Sequence, residues 1–222
     1  REAEAAGAHS VMLAPPPLAR PNEAALRRHY LTVAEAISIP IVVQDHPASS
    51  GVLMSVDFLA SLFADTPACA VVKLEEEPSP PKVGRLVAAA PGLRVVGGLG
   101  GGMLIEELRR GSHGTMTGFG FPEILVAIVG RWRDGDEAGA AAIFDRFASL
   151  IRFENQPLVN LGIRKAIYAR RGAIAHPTVR APGGPPDEGT LADLDWLLRR
   201  LDLPSSLESL TTPAPRPVAS PA

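Results

Sequence analysis

The chain has 222 residues, a formal net charge of −2 and a single cysteine, Cys69. This length is enough for one sizeable hydrophobic core with a small appendage. The near-neutral charge offers neither a basic footprint for nucleic acid nor a polybasic patch for a membrane surface, and one cysteine excludes a disulfide framework. No apolar run approaches the ~20 residues that span a bilayer. We therefore expect a protein of a reducing compartment, the cytoplasm, with no nucleic-acid or membrane partner.

The first seven residues have the pattern of the last turns of a helix, which Gly7 ends as a C-cap. The sequence begins with Arg1 rather than methionine. We therefore expect that residues which precede Arg1 in the natural protein are missing here.

Short apolar runs then alternate with helical segments. Strands are predicted over 9–14, 41–43, 70–73, 93–96 and 114–118. Helices are predicted between and after them, over 23–37, 55–62, 80–87, 103–110 and 123–132. Strand starts that recur every ~20 to 30 residues, with a helix after each strand, indicate βα units and a parallel sheet with right-handed crossovers. Either a doubly wound sheet or part of a (β/α)8 barrel fits this pattern.

The pattern is helical from there on, with helices predicted over 136–153, 159–171 and 190–201. The tail over 204–222 is rich in Pro, Ser and Ala and is predicted to be disordered. The predicted organisation is therefore an α/β region over 1–132, a helical extension over 133–203 and the tail.

Lys73 carries most of the functional information. It ends an apolar run over 69–73, in a chain whose other lysines are Lys82 and Lys165 and whose remaining basic residues are arginines. Arginine cannot form an imine, whereas a buried lysine can attack a carbonyl group. The alternative is a lysine at a strand end that reaches solvent or pairs with Glu75 or Glu76.

Other polar residues follow the predicted strands. Ligands of parallel α/β folds bind at the carboxyl ends of the strands, where Gln44, His46 and Glu75 lie in this chain. An amine, a proton shuttle and backbone amides from glycine suit carbonyl chemistry. Strand alternation predicts that Gln44 and His46 share one face, although His46 could equally be a turn residue beside Pro47.

The remaining motifs predict neither a metal nor a cofactor. The glycine run over 97–102 lacks the lysine and hydroxyl of a phosphate loop and the acidic residue of a dinucleotide site. Histidines are scattered, and the acidic run over 75–77 is predicted to be mostly solvated.

The order of motifs resembles one known superfamily. Segment 40–47 (PIVVQDHP) is followed by 71–75 (VVKLE), a glycine turn, and 110–118 (RGSHGTMTG). This order is similar to that of the dihydrodipicolinate synthase / N-acetylneuraminate lyase superfamily, and the resemblance extends from residue 6 to about residue 201. Segment 152–172 is similar to an uncharacterised branch. The resemblance implies strands four to eight of a (β/α)8 TIM barrel plus three C-terminal helices. A chain without the first three βα units would be N-terminally truncated, and we expect it to be poorly stable alone.

The resemblance implies a class I lyase or aldolase in which Lys73 forms a Schiff base with pyruvate or another 2-keto acid. Cleavage, condensation and dehydration all remain open. Gly98 and Met116 align with positions that line the keto-acid pocket, and Thr117 follows at the same strand end.

The departures from the family pattern argue against a true dihydrodipicolinate synthase. Gln44 stands where the family has its catalytic tyrosine, and Ser49 where the synthase arginine binds the second substrate. His46 and Glu75 are then the candidate proton shuttles.

Two alternatives stay open at this point. One is a catalytically lapsed barrel that binds a keto or sugar acid, and the other is an inactive truncated fragment. The resemblance implies no cofactor, a small 2-keto acid as partner, and a homo-oligomer (dimer or tetramer) when the chain is full length.

Overall fold

The computed structural model describes residues 1–17 and 22–203, so the predicted tail over 204–222 lies outside the described residues. Its sheet consists of four parallel strands, β1 (Val11–Leu13), β2 (Ile41–Asp45), β3 (Val71–Leu74) and β4 (Arg94–Val96). The order of these strands in space is their order in the chain. A doubly wound sheet reverses its strand order at a switch point, whereas a barrel adds strands consecutively. The sheet therefore has the topology of a barrel segment.

The predicted fifth strand over 114–118 is not formed as such. In its place a single parallel bridge joins Gly97 to Thr115. The bridge is supported by the Met116 N–H, which donates to the Gly97 carbonyl at 3.0 Å. Gly114 has a φ of 143°, outside the extended region of L-residues, and this interrupts a regular strand. The segment continues the direction of the sheet without forming a ladder.

Helices follow the strands in the predicted alternation. In the first part of the chain they are α2 (Glu23–Ala34), α3 (Pro47–Ser50), α4 (Val56–Asp65), α5 (Ser79–Ala89), α6 (Leu104–Leu108) and α7 (Pro122–Arg133), with a 3₁₀ turn over Leu99–Gly101, whereas α1 (Glu2–Ala5) precedes β1. The predicted N-caps are confirmed: Asn22 accepts from the Ala25 N–H at 2.9 Å and Ser55 from the Phe58 N–H at 3.0 Å. The single turn α3 was not predicted.

The hydrophobic core lies between these helices and one face of the sheet. Side chains alternate along each strand, so one set from the strands packs with α2, α4 and α5: Ile41, Val43, Val72, Leu74 and Val95. The alternate positions, which include Met12, Gln44 and Lys73, belong to the opposite face. Lys73 therefore projects away from the core.

The chain divides into two compact units, Arg1–Ile151 and Arg152–Ala222. The division falls inside α8 (Glu137–Glu154), and the predicted boundary after residue 132 stays a prediction. The second unit contains α9 (Asn160–Arg170) and α10 (Glu188–Arg200). Within it, the Arg164 guanidinium contacts the buried Glu154 carboxylate at 2.7 Å. None of the helices within the described ranges is long and apolar enough to cross a membrane.

Candidate functional site

Three of the predicted site residues meet on the face of the sheet opposite the hydrophobic core. Gln44 of β2 and Lys73 of β3 are register partners, and Glu75 directly follows the end of β3. Lys73 Nζ lies 2.9 Å from Glu75 Oε2, and Gln44 Nε2 donates to the same oxygen at 2.9 Å. The Lys73 side chain is only 11% exposed, so it does not extend into solvent. Lys73 therefore pairs with Glu75, a contact that fits both the nucleophile and the alternative of a paired strand-end lysine, and its catalytic role stays a prediction.

Glu75 is buried and so is the exception within the acidic run over 75–77, which was predicted to be mostly solvated. The cause is a hydrogen bond of 2.8 Å from the Glu75 N–H to the Asp45 carbonyl, which extends the β2–β3 pairing by one residue. Because side chains alternate along a strand, this extension puts the carboxylate on the same face as Lys73.

Gly98 completes this group, which we call the Lys73 cluster (Lys73, Glu75, Gln44 and Gly98). A Cβ atom at position 98 would lie 2.3 Å from Glu75 Oε1. The position therefore needs glycine for space. The predicted pocket-lining role of Gly98 stays a prediction.

The other three predicted site residues make their hydrogen bonds elsewhere. The ring of His46 lies 2.9 Å, at Nδ1, from the hydroxyl of Ser49 within the α3 turn. Thr117 Oγ1 accepts from the Gly100 N–H at 2.9 Å and so holds the glycine turn, and Met116 bonds through its backbone and is 40% exposed. The roles of these residues toward a substrate stay predictions.

A second buried lysine lies on the helix side of the same strand ends. Lys82 Nζ, on α5, donates to Asp45 Oδ2 at 2.7 Å, to the Met54 carbonyl at 2.6 Å and to Glu76 Oε2 at 2.6 Å. Burial raises the pKa of the Asp45 carboxyl, and the hydrogen bond and charge of Lys82 oppose that rise. Sequence reasoning missed this arrangement, although the scarcity of lysine that drew attention to Lys73 applies equally to Lys82.

Glu107 of α6 is a second buried carboxyl that the sequence did not reveal. It accepts a hydrogen bond from the Ser79 hydroxyl, and its Oε2 is buried without a hydrogen-bond partner among the described residues. A Cβ atom at Gly97 would lie 1.7 Å from that oxygen, so Gly97 makes room for it. Burial raises the pKa of Glu107 to about 7, and the charges of Glu106 and Glu75 act in the same direction.

Within 1–17 and 22–203, no group of three or more His, Cys, Asp or Glu side chains is arranged to hold a metal ion.

Comparison with known proteins assigns the family. Residues 1–200 match the Dihydrodipicolinate synthetase family. The chain belongs to this family. The resemblance predicted from the sequence is thus confirmed. A curated protein similar to this chain is the L-2-keto-3-deoxyarabonate dehydratase of Azospirillum brasilense. That protein is 34% identical over 206 residues, which cover 90% of this chain and 66% of the dehydratase.

Solved structures agree with this assignment. The dihydrodipicolinate synthase of Rhodopseudomonas palustris has 32% sequence identity and a TM-score of 0.82, and the match covers 89% of this chain and 67% of that one. YagE of Escherichia coli K12, solved in complex with pyruvate, has a TM-score of 0.83 over 91% of this chain and 69% of that one. At 23% identity, this second likeness shows the fold alone. The chain spans about two thirds of the length of these family members.

Proposed function

We propose that this chain carries the imine-forming site of a lyase that acts on 2-keto acids, with Lys73 as the nucleophile. The observation that carries the proposal is the buried Lys73 Nζ, 2.9 Å from a buried carboxylate. Membership of the Dihydrodipicolinate synthetase family supports it. We further infer that β1 to β4 and the segment at Thr115 correspond to strands four to eight of a (β/α)8 barrel.

Formation of the imine needs a neutral amine, and Glu75 is placed to provide it. The Glu75 carboxylate takes a proton from Lys73 Nζ across the 2.9 Å contact. The free amine attacks the ketone carbon, and the carbonyl electron pair moves to oxygen. That oxygen takes one proton from the attacking nitrogen and one from Glu75, and it leaves as water. The resulting cationic imine withdraws electrons from C3 of the bound acid. Gln44 holds Glu75 Oε2 in place during these steps.

The same carboxylate then serves the next step. Glu75 removes a proton from C3, and the electron pair moves toward the imine nitrogen to give an enamine. When C4 carries a hydroxyl group, the nitrogen electron pair re-forms the imine and the C2–C3 π electrons form a C3–C4 double bond. The C4–O bond breaks, and the leaving oxygen takes the proton from Glu75. One water is lost without any redox change, and hydrolysis of the imine returns the Lys73 amine.

This sequence of steps favours dehydration of a 2-keto-3-deoxy sugar acid over cleavage or condensation. It uses one acid–base group, and Gln44, where the family has a tyrosine, cannot relay a proton. The name of the 34% identical dehydratase is in line with this choice. A homo-oligomer and a cytoplasmic location remain predictions.

Gln44 also favours a second candidate, a lapsed barrel that binds a keto acid without turning it over. In that protein, the bond from Gln44 to Glu75 would only fix the carboxylate as a partner of the bound acid. The two candidates differ in whether a bound acid is consumed.

Borohydride trapping tests the proposal. The protein from its whole reading frame is incubated with pyruvate or a 2-keto-3-deoxypentonate, reduced, and mapped by peptide mass spectrometry. We expect a stable adduct on Lys73 that is lost in Lys73→Ala and kept in Lys165→Ala, whose exposed amine bonds to the Thr178 carbonyl. An adduct that persists in Lys73→Ala, or that maps to Lys82, would overturn the assignment.

The same samples separate the alternatives. An adduct with consumption of the pentonate supports the dehydratase, and an adduct without consumption supports the lapsed barrel. An adduct in the longer protein but none in Arg1–Ala222 alone would support the view that this segment is an inactive fragment.

A further inference from the structure

Lys82 has an ammonium group that is fully used by three acceptors. It is 4% exposed, and its three partners come from three different segments: the end of β2, the loop before α4 and the loop after β3. An ammonium has three N–H bonds, so no donor is left over. Lys82 is therefore a structural cation and not a second nucleophile.

The partners of Lys82 are the immediate neighbours of the proposed site residues. Asp45 follows Gln44 in the chain, and Glu76 follows Glu75. Asp45 also accepts the backbone N–H of Glu75, at 2.8 Å. The Lys82 ammonium on α5 thus fixes the ends of β2 and β3 from the helix side. The residues just before its two carboxylate partners, Gln44 and Glu75, are the ones whose side chains meet at Lys73.

We propose that Lys82 is a positioning residue that holds the Glu75 carboxylate in reach of the imine carbon skeleton. This inference rests on the proposed function. Lys82 touches neither Lys73 nor Glu75 through its own hydrogen bonds and acts through Asp45 and Glu76. Lys73 itself is held by the ladder of β3 to β2 and β4, which does not involve Lys82.

The charges explain why a lysine is needed. Two carboxylates, Asp45 and Glu76, face the single Lys82 cation, and Asp45 Oδ1 is buried with no hydrogen-bond partner among the described residues. Without the ammonium, Asp45 would be an unpaired buried charge, and the half-exposed Glu76 would turn to solvent. An arginine could not replace this lysine, because the N–H donors of a guanidinium lie in one plane and cannot all reach three acceptors arranged around a single atom.

The experiment separates imine formation from proton transfer. We would compare the protein from its whole reading frame with Lys82→Met, and with Lys165→Met as a matched control. The first readout is the borohydride-trapped pyruvate adduct on Lys73. The second is deuterium exchange into the pyruvate methyl group, followed by NMR, which reports removal of the C3 proton. Asp45→Asn/Lys82→Met is a further variant that removes the buried charge together with its partner, in case the single variant fails to fold.

We expect the Lys82 variants to keep the adduct, trapped after imine formation has reached equilibrium, within about threefold, because an acid–base group changes the rate of imine formation and not its extent. Methyl exchange, which is a rate, should fall by about 10²-fold. Lys165→Met should change neither readout. Unchanged methyl exchange in a folded Lys82 variant would overturn the inference. An equal fall in adduct and exchange, in proportion to the fraction of folded protein measured by circular dichroism, would also overturn it. If the unsubstituted protein forms no adduct, the proposed function itself fails, and this result is distinct from the other two.

Discussion

The carboxylate of Glu75 contacts the proposed nucleophile at 2.9 Å and is the proposed acid–base group. His46 was predicted as an alternative shuttle, but its ring bonds to Ser49. We expect Glu75→Gln to reduce methyl exchange by about 10²- to 10⁴-fold, because the amide keeps the shape but cannot carry a proton. His46→Ala should reduce it by less than about threefold. The measurement is the exchange rate at saturating pyruvate, and the reverse order of the two effects would make His46 the shuttle.

The Gly98→Ala substitution tests whether methyl exchange depends on the position of the Glu75 carboxylate as well as on its presence. In Gly98→Ala, the new methyl would lie 2.3 Å from Glu75 Oε1 and would displace the carboxylate from Lys73. We expect a loss of methyl exchange of at least about tenfold, while the adduct trapped at equilibrium is retained.

Gly102→Ala is the matched control for this substitution. The nearest heavy atom to its Cβ would be the Leu99 carbonyl oxygen at 3.6 Å, and its φ of −62° suits alanine. Equal losses of exchange in the two variants would show that the glycine turn, and not Glu75, is responsible.

At the scale of elements, the packing of α6 against the turn after β4 makes stability depend on pH. The pKa of Glu107 is raised from 4.5 to about 7, so the folded state keeps a proton that the unfolded state has lost. The contribution of Glu107 to the free energy of unfolding is therefore fully present below pH 4.5 and is lost as pH rises to about 7, a change of ~3 kcal/mol at about 1.4 kcal/mol per pKa unit.

Glu107→Gln should remove this pH dependence and stabilise the chain above pH 7. Urea denaturation at pH 5 and pH 8 measures the effect, and the exposed neighbour Glu106, changed to Gln, is the control on the same helix. An unchanged difference between the two pH values in Glu107→Gln would show that another group is responsible.

The sequence predicted most elements because their signals are local. Caps such as Asn22 and Ser55 and the apolar periodicities depend on residues within one or two turns. The prediction of a fifth strand over 114–118 was wrong because the positive φ of Gly114 interrupts it. A sequence pattern of alternating side chains does not show which backbone conformation a glycine adopts. The single turn α3 is too short to produce a periodic pattern.

The site was only partly predictable for the same reason. Lys73 stood out from composition and its place at a strand end, both local features. The burial of Glu75 depends on a backbone bond to Asp45, and the Lys82 contacts join segments far apart in the chain. No pattern in one segment contains these pairings, which arise only when β2 and β3 lie side by side.

At the scale of the molecule, the sheet has one covered face and one face that carries the Lys73 cluster. Within the described part of the chain, β1 pairs only with β2 and so forms an edge. A closed barrel has no edges, and the chain spans about two thirds of the length of its relatives. Edge strands with exposed apolar side chains are the usual sites of self-association.

Met12 tests this view of the whole molecule. It lies in the middle of β1, on the face of Gln44 and Lys73, and is 51% exposed. For the Arg1–Ala222 chain, we expect Met12→Gln to lower concentration-dependent self-association, measured by sedimentation velocity, because it removes apolar surface beside an unpaired edge. The free energy of unfolding should change by less than about 0.5 kcal/mol, since the side chain is half exposed.

Met103→Gln is the control, because Met103 is 46% exposed but precedes a helix. If Met103→Gln lowers association as much as Met12→Gln, general surface hydrophobicity and not the edge of β1 drives it.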